Sequence, residues 1–344
     1  NKKYYVTGGI GSGETSEGFG TNFSLPNNAY CESCSSCGLV FFQYKMNLAY
    51  HDAKYADLYE ETLYNALLGA IDLDGRTFYY DNPLVGGQRN PWNPCPCCVG
   101  NIPRTLLMIP TWTYAKGDDG LYVNLYIGGA INVEKIAGTD LQMVQKTDYP
   151  WSGRVSITVN PKESKTFTIH LRAPDRSTSR LYTETPAVSG IISLSVNGQN
   201  ITPNIQNGYA AIHRTWTAGD KIELLLPMQV QRVTADSRIA ADRGLVSLRY
   251  GPLIYNVERA DNVRLNAALG GAPLTTEWRP GLLRGVMAIK GVWADGSPLL
   301  AVPNYARNNR LDSLFNGASS APATNTPPFG PFGRSRSQVW LTAE

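Results

Sequence analysis

Lys116-Gly117-Asp118-Asp119-Gly120 divides this sequence into two halves of different periodicity. Before it, apolar residues recur with helical spacing. Residues 31–50 are apolar nearly all round (Leu39, Val40, Phe41, Phe42, Tyr44, Met46, Leu48), which predicts a helix buried on most sides. Asp52 suits the N-cap of a second helix, where Tyr55, Leu58, Tyr59, Thr62, Leu63, Ala66 and Leu67 keep a 3.6-residue period. A third helix is predicted after Asn101, with Pro103 in its first turn and Pro110 kinking or ending it. After the divide come alternating or β-branched runs at 121–127, 155–159, 167–171, 191–196, 222–226 and 245–250. Turn signals such as Asn197-Gly198 and Ala218-Gly219-Asp220 separate them, which predicts an antiparallel sandwich. The expected architecture is α+β and multidomain: a helical unit over 1–116 and a β-sandwich region over 117–344. A Pro/Ser/Gly loop is expected at about 317–337 and a last strand at 338–342.

The 344 residues suggest two domains, and 42% hydrophobic with 10% aromatic residues exclude wholesale disorder. A net charge of +3 without any block of like charge gives no support to nucleic acid or a membrane surface as partner. No apolar run reaches the ~18 residues of a spanning helix. The opening Asn1-Lys2-Lys3-Tyr4-Tyr5-Val6 has neither Met nor a signal-peptide layout and reads like the middle of a protein. Three helices, two of them apolar all round, cannot close a layer alone. A further barrel segment or another chain is expected to pack on them.

The cysteines carry the most information. Cys31, Cys34, Cys37, Cys95, Cys97 and Cys98 form two tight clusters, and none follows. That distribution suits one metal site better than a disulfide scaffold. None of the three histidines (His51, His170, His213) lies in a cluster, so the donors would be mainly sulfur, which favours zinc. Spacing alone leaves open a structural zinc, inert or disulfide-bonded cysteines, and a catalytic site. His51 is expected at a helix C-terminus as a partner of its dipole.

Two further features are compatible with ligand binding. The Gly8-x-x-Gly11-x-Gly13 opening carries Glu14 and Glu17, yet no Lys-Ser/Thr follows it as a phosphate loop requires. Tyr79-Tyr80-Asp81-Asn82-Pro83-Leu84 and Arg89-Asn90-Pro91-Trp92-Asn93 mix aromatic and polar groups as a sugar would want, or simply cover core.

Taken in order, Thr7-Gly8-Gly9-Ile10-Gly11-Ser12, Glu17-Gly18-Phe19, Leu25-Pro26-Asn27, Glu32-Ser33-Cys34, Glu60-x-x-Leu63-Tyr64-Asn65, Tyr80-x-Asn82-Pro83-Leu84, Cys97-Cys98, Gly251-Pro252-Leu253 and Asn308-Asn309-Arg310 resemble glycoside hydrolase family 127 and its relative family 146. The stretch from Gly13 to Gly20 looks more like family 146. The resemblance implies the C-terminal part of an (α/α)6 barrel followed by β-sandwich, and a retaining β-L-arabinofuranosidase acting on plant-derived glycans. It further implies Zn2+ held by Glu32, Cys34, Cys97 and Cys98, with Cys97 as nucleophile and Glu17 as acid/base. Glu14 competes for the latter role, and Glu60 and Tyr80 would line the sugar pocket. Cys31, Cys37 and Cys95 fall outside the ligand set and would be packing. The same mechanism on another pectin-type sugar, or a zinc-stabilised carbohydrate-binding fragment without catalysis, are the competing readings. The compartment is left open between a bacterial cytoplasm and the periplasm or exterior.

Overall fold

The computed structural model describes residues 2–13, 17–177, 179–310 and 337–344. Glu14 and nearly all of the expected Pro/Ser/Gly loop lie outside the described residues. The helical unit holds α1 (Ser33–Tyr50), α2 (Ala53–Thr62), α3 (Cys97–Leu107) and the short α4 (Ile109–Trp112). Asp52 caps α2 as expected, its carboxylate accepting from the Lys54 amide. The third helix starts earlier than predicted, at Cys97, so the paired cysteines sit on its first turn rather than in the loop before it. Gly100 and Pro103 concealed that start, because both read as boundary residues. Pro103 lies inside α3, whereas Pro110 opens α4 after the break at Met108.

α1 is buried along one face, by Ser33, Ser36, Cys37, Val40, Gln43 and Asn47. Phe42 is 58% exposed and Tyr50 62%, and on α3 Leu107 is 82% exposed. The two helices expected to be buried on most sides thus show an apolar face to solvent in this chain. His51 ends α1 in the left-handed conformation. Its ring stacks on Tyr122, which also stacks on His170, so the helix end is pinned to the sandwich by aromatic contact.

The strands in chain order are β1 (Tyr114–Lys116), β2 (Gly120–Val123), β3 (Gly129–Ile136), β4 (Thr139–Thr147), β5 (Arg154–Pro161), β6 (Lys165–Arg172) and β7 (Tyr182–Thr185). Next come β8 (Ser193–Val196), β9 (Gln199–Asn200), β10 (Ile205–Gln206), β11 (Tyr209–Trp216), β12 (Asp220–Leu225), β13 (Val230–Ala235) and β14 (Leu245–Tyr250). The last are β15 (Leu253–Glu258), β16 (Ala268–Leu269), β17 (Thr275–Arg279), β18 (Val286–Val292), β19 (Pro298–Pro303), β20 (Ser337–Gln338) and β21 (Leu341–Ala343).

One sheet runs β1-β2-β6-β11-β10 and a second β3-β4-β5-β12-β8-β9. Their inner faces share one core, in which Val123, Ile169 and Ile212 of the first meet Met143, Ile157 and Ile222 of the second. This is the expected sandwich, with one departure from antiparallel pairing. β2 and β6 are parallel, because the chain leaves to build β3–β5 in the opposite sheet before returning. A third sheet, β16-β21-β14-β15-β19-β18-β17 with β7, β13 and β20 attached, has its own core around Leu253, Tyr255, Ile289 and Trp293. The β region therefore comprises two modules. No helix among the described residues is long and apolar enough to cross a membrane.

α2 lies where the modules meet, and its acidic residues are buried together with its apolar ones. Arg172 at the end of β6 donates to Asp57 at 2.5 Å and to Glu60. Arg176 pairs with Glu60 at 2.8 Å, and Arg249 of β14 reaches Glu61 at 2.9 Å. Continuing α2, Leu63–Leu67 form a π turn and Leu68–Ala70 a 3₁₀ turn. Asn65 stands in that π turn, donating to the Pro252 carbonyl and accepting from the Ile254 amide. On the other side, Gly8 packs so closely that a Cβ would come within 2.5 Å of Thr62 Cα, and its φ of +77° suits glycine.

Two stability predictions follow from these burials. Arg172→Met strands Asp57 and half of Glu60, and should cost about 3–5 kcal/mol in denaturant unfolding. Burial also pushes the Asp242 carboxyl up to about 7, against a hydrogen bond from Asn27. A folded pKa above the unfolded one near 4 means that its stabilising share is complete below pH ~4 and lost as pH rises through 7. Asp242→Asn should flatten stability between pH 4 and 8 and raise it at pH 8, by ~4 kcal/mol at most. Thermal melts across that range test it.

Candidate active site

The site is assembled from two helix starts and one glycine-rich loop. Ser33 opens α1, its amide and hydroxyl donating to the Tyr80 and Tyr79 carbonyls. This sets Glu32 and Cys34 beside the 79–82 segment. The glycine-rich opening runs alongside: the Cys31 amide donates to the Gly11 carbonyl, and the Tyr30 amide to Gly13. A hydrogen bond from the Gly13 amide to the Gly18 carbonyl closes the loop that carries Glu17. α3 contributes Cys97 and Cys98 in its first turn. The positive ends of both helix dipoles favour negative charge there.

Glu32, Cys34, Cys97 and Cys98 converge, with their ligand atoms all within 4.8 Å of one another. The sulfur of Cys34 lies 3.2 Å from that of Cys98, and Cys97 lies 3.8 Å from Cys98. Glu32 Oε1 is 3.4 Å from the sulfurs of both Cys97 and Cys98. These spacings are far beyond a disulfide, whose sulfurs lie ~2 Å apart. They approach the edges of a tetrahedron around an ion bound at ~2.3 Å by sulfur and ~2.0 Å by oxygen, about 3.8 Å for S···S and about 3.5 Å for S···O. The four residues can therefore hold one metal ion. Without a cation, burial pushes the Cys97 thiol up to about 11, and burial likewise raises Cys98. Ionising these thiols at neutral pH thus calls for a positive charge between them.

Two expected residues stand at the cluster. The Tyr80 hydroxyl lies 3.3 Å from Cys97 Sγ. Glu17 is exposed and hydrogen-bonded to Glu32, whose charge raises its pKa and favours the protonated form. Glu60 is placed elsewhere. It has no exposed surface and its carboxylate is taken up by Arg172 and Arg176, which makes it an interior counter-ion rather than a pocket wall. Cys31 and Cys37 are buried packing residues, and burial pushes the Cys31 thiol up to about 12. Cys95 is exposed, so packing does not account for it. Tyr79 is buried between the guanidiniums of Arg89 and Arg307, which shows that much of the sugar-like 79–93 stretch covers core. Trp92 is exposed, at 67%, and so are Asp81, Asn90 and Pro91. Sequence reading missed Asn101, whose amide donates to Cys34 Sγ at 3.0 Å. A helix started at Cys97 would have set Asn101 one turn from the cysteine pair.

Comparison with known proteins assigns the chain to a family. Three family models match in succession: the β-L-arabinofuranosidase GH127 catalytic domain over residues 1–111, the GH127 middle domain over 120–228 and the GH127 C-terminal domain over 230–315. The chain belongs to glycoside hydrolase family 127. It is 32% identical over 309 residues to the non-reducing end β-L-arabinofuranosidase of Bifidobacterium longum subsp. longum, covering 83% of this chain and 45% of that protein. Among solved structures, a GH127 β-arabinofuranosidase superposes with a TM-score of 0.84 at 31% identity, over 100% of this chain and 54% of the other. A GH127 β-L-arabinofuranosidase from Geobacillus stearothermophilus T6 gives 0.82 at 31% identity, over 100% and 55%. The chain thus spans about half the length of these relatives.

The metal capacity can be checked directly. Purified protein is expected to carry close to one equivalent of divalent metal by elemental analysis. Cys34→Ser should lose most of it, whereas Cys31→Ala and Cys37→Ala should retain it.

Proposed function

We propose that this chain carries the reacting half of a retaining β-L-arabinofuranosidase with a cysteine nucleophile, acting on plant-derived glycans. The observation that carries the reading is the juxtaposition of four metal-donor atoms with an exposed carboxyl, Glu17, whose pKa is raised by the neighbouring Glu32. Glu32, Cys34, Cys97 and Cys98 would hold the ion, and sulfur-rich donors favour zinc. A bound zinc would keep the thiols ionised at neutral pH.

Cys97 Sγ attacks the anomeric carbon and forms a C–S bond while the glycosidic C–O bond breaks. The departing oxygen takes the broken bond's electron pair and the proton of Glu17. Glu17, now a carboxylate, removes a proton from water. The water oxygen attacks the same carbon, and the C–S pair returns to Cys97. Two inversions give net retention. Tyr80 orients Cys97 through its hydroxyl and adds a donor that steadies the returning thiolate.

The partner we propose for the helices is the remainder of an (α/α)6 barrel. The exposed Phe42 and Tyr50 of α1 and Val99 and Leu107 of α3 would pack on it and close the pocket's open side.

In the intact protein, Cys97→Ser and Glu17→Gln should each lower turnover of an aryl β-L-arabinofuranoside by ~10²–10⁴-fold or more. Azide should restore turnover of an activated substrate in Glu17→Gln and not in Cys97→Ser. A large loss in Glu14→Gln with little in Glu17→Gln would move the acid/base role to Glu14. Azide rescue of Cys97→Ser with the anomeric configuration retained would refute the cysteine nucleophile.

A further inference from the structure

The four-donor cluster is asymmetric in what its sulfurs receive. Cys97 faces the Tyr80 hydroxyl at 3.3 Å. Cys34 instead accepts from Asn101 Nδ2 at 3.0 Å, and Asn101 Oδ1 accepts from Arg104 Nη2 at 2.6 Å. Asn101 and Arg104 lie three residues apart on α3, on neighbouring turns.

We propose that Asn101, oriented by Arg104, is a positioning residue that secures Cys34 as a standing metal ligand. The proposal rests on the metal reading above. A guanidinium has donors only, so the amide oxygen must face Arg104. The amide NH₂ is then bound to face the sulfur, and the flip that would aim an oxygen at a thiolate is closed off. An N–H donor stabilises charge on the Cys34 sulfur. Three thiolates and a carboxylate around a dication also leave two surplus negative charges. The Asn101 amide and the Arg104 cation behind it offset part of that excess on the Cys34 side. Neighbours of this kind usually matter 10–100-fold for metal affinity.

Cobalt(II) reports on this without turnover. The purified protein, stripped and reloaded with Co(II), should show sulfur-to-cobalt charge-transfer absorption in the near ultraviolet. Asn101→Ala should shift that band to longer wavelength, because a thiolate without its N–H donor gives up an electron more easily. The same variant should lose Co(II) to a competing chelator ~10–100-fold more readily. Asn101→Asp should lose it more readily still. Arg104→Met, an exposed change that spares the fold, should give a smaller shift in the same direction, and it serves as the reading should Asn101→Ala not fold. Folded variants with the wild-type band and wild-type retention would overturn the role given to Asn101. Wild-type protein with no charge-transfer band would remove the metal reading itself and the proposal with it.

Discussion

Three carboxylates on one buried helix face hold this molecule in its shape. Asp57, Glu60 and Glu61 of α2 meet Arg172, Arg176 and Arg249, which come from the sandwich, the loop after it and the third sheet. Desolvating such charges is costly, and an apolar interface of similar volume could be as stable. What the ion pairs add is uniqueness of docking. Each carboxylate has a partner at one place in the chain, and a shifted helix would leave buried charges bare. Once α2 is seated, the glycine-rich opening lies against Thr62 and α1 packs alongside, so the site inherits its geometry from this interface.

That arrangement explains which parts of the fold were legible. The switch of hydrophobic period near residue 117 lies just after the first strand, which begins at Tyr114, and the Asp52 cap located α2. The β region's division into two modules was not legible, because the alternation of β13–β19 looks the same as that of β2–β12. Pairing partners are set by distant strands. The burial of Asp57, Glu60 and Glu61 was equally hidden. On a helical wheel they form the polar face expected to meet water, and only tertiary structure supplies arginines from more than a hundred residues away.

The candidate site shows the same division. Glu-x-Cys and Cys-Cys declared a metal-capable pair of clusters, and the structure brings their donors together. Several other quoted motifs turn out to be couplings between modules. Asn65 grips the 252–254 turn, Asn82 donates to the Ala66 carbonyl and accepts from Arg307, and Asn308 ties the Tyr79 hydroxyl to the third sheet. Sequence reading sees a polar residue in a motif but not whether it faces a ligand or the backbone of a neighbour. Glu60 is the clearest case. Its motif suggested a pocket, and its surroundings make it a counter-ion.

The proposed reaction makes opposite demands on Cys97 and Glu17, and their placement is compatible with both. As the proposed nucleophile, Cys97 would have to be ionised although burial raises its thiol, and it sits at a helix start beside donors that can share a cation. As the proposed acid/base, Glu17 would exchange protons with a leaving oxygen and then with water, and it is exposed, next to the Gly13–Gly18 hydrogen bond. Glu32 links the two. One oxygen approaches the sulfurs, and the carboxylate also touches Glu17, favouring its protonated form. Charge withdrawn from Glu32 by a cation would reach Glu17 through that contact. The proposed nucleophile and proton donor would therefore be coupled through a single carboxylate, and the state of a metal site would bear on both halves of the proposed reaction.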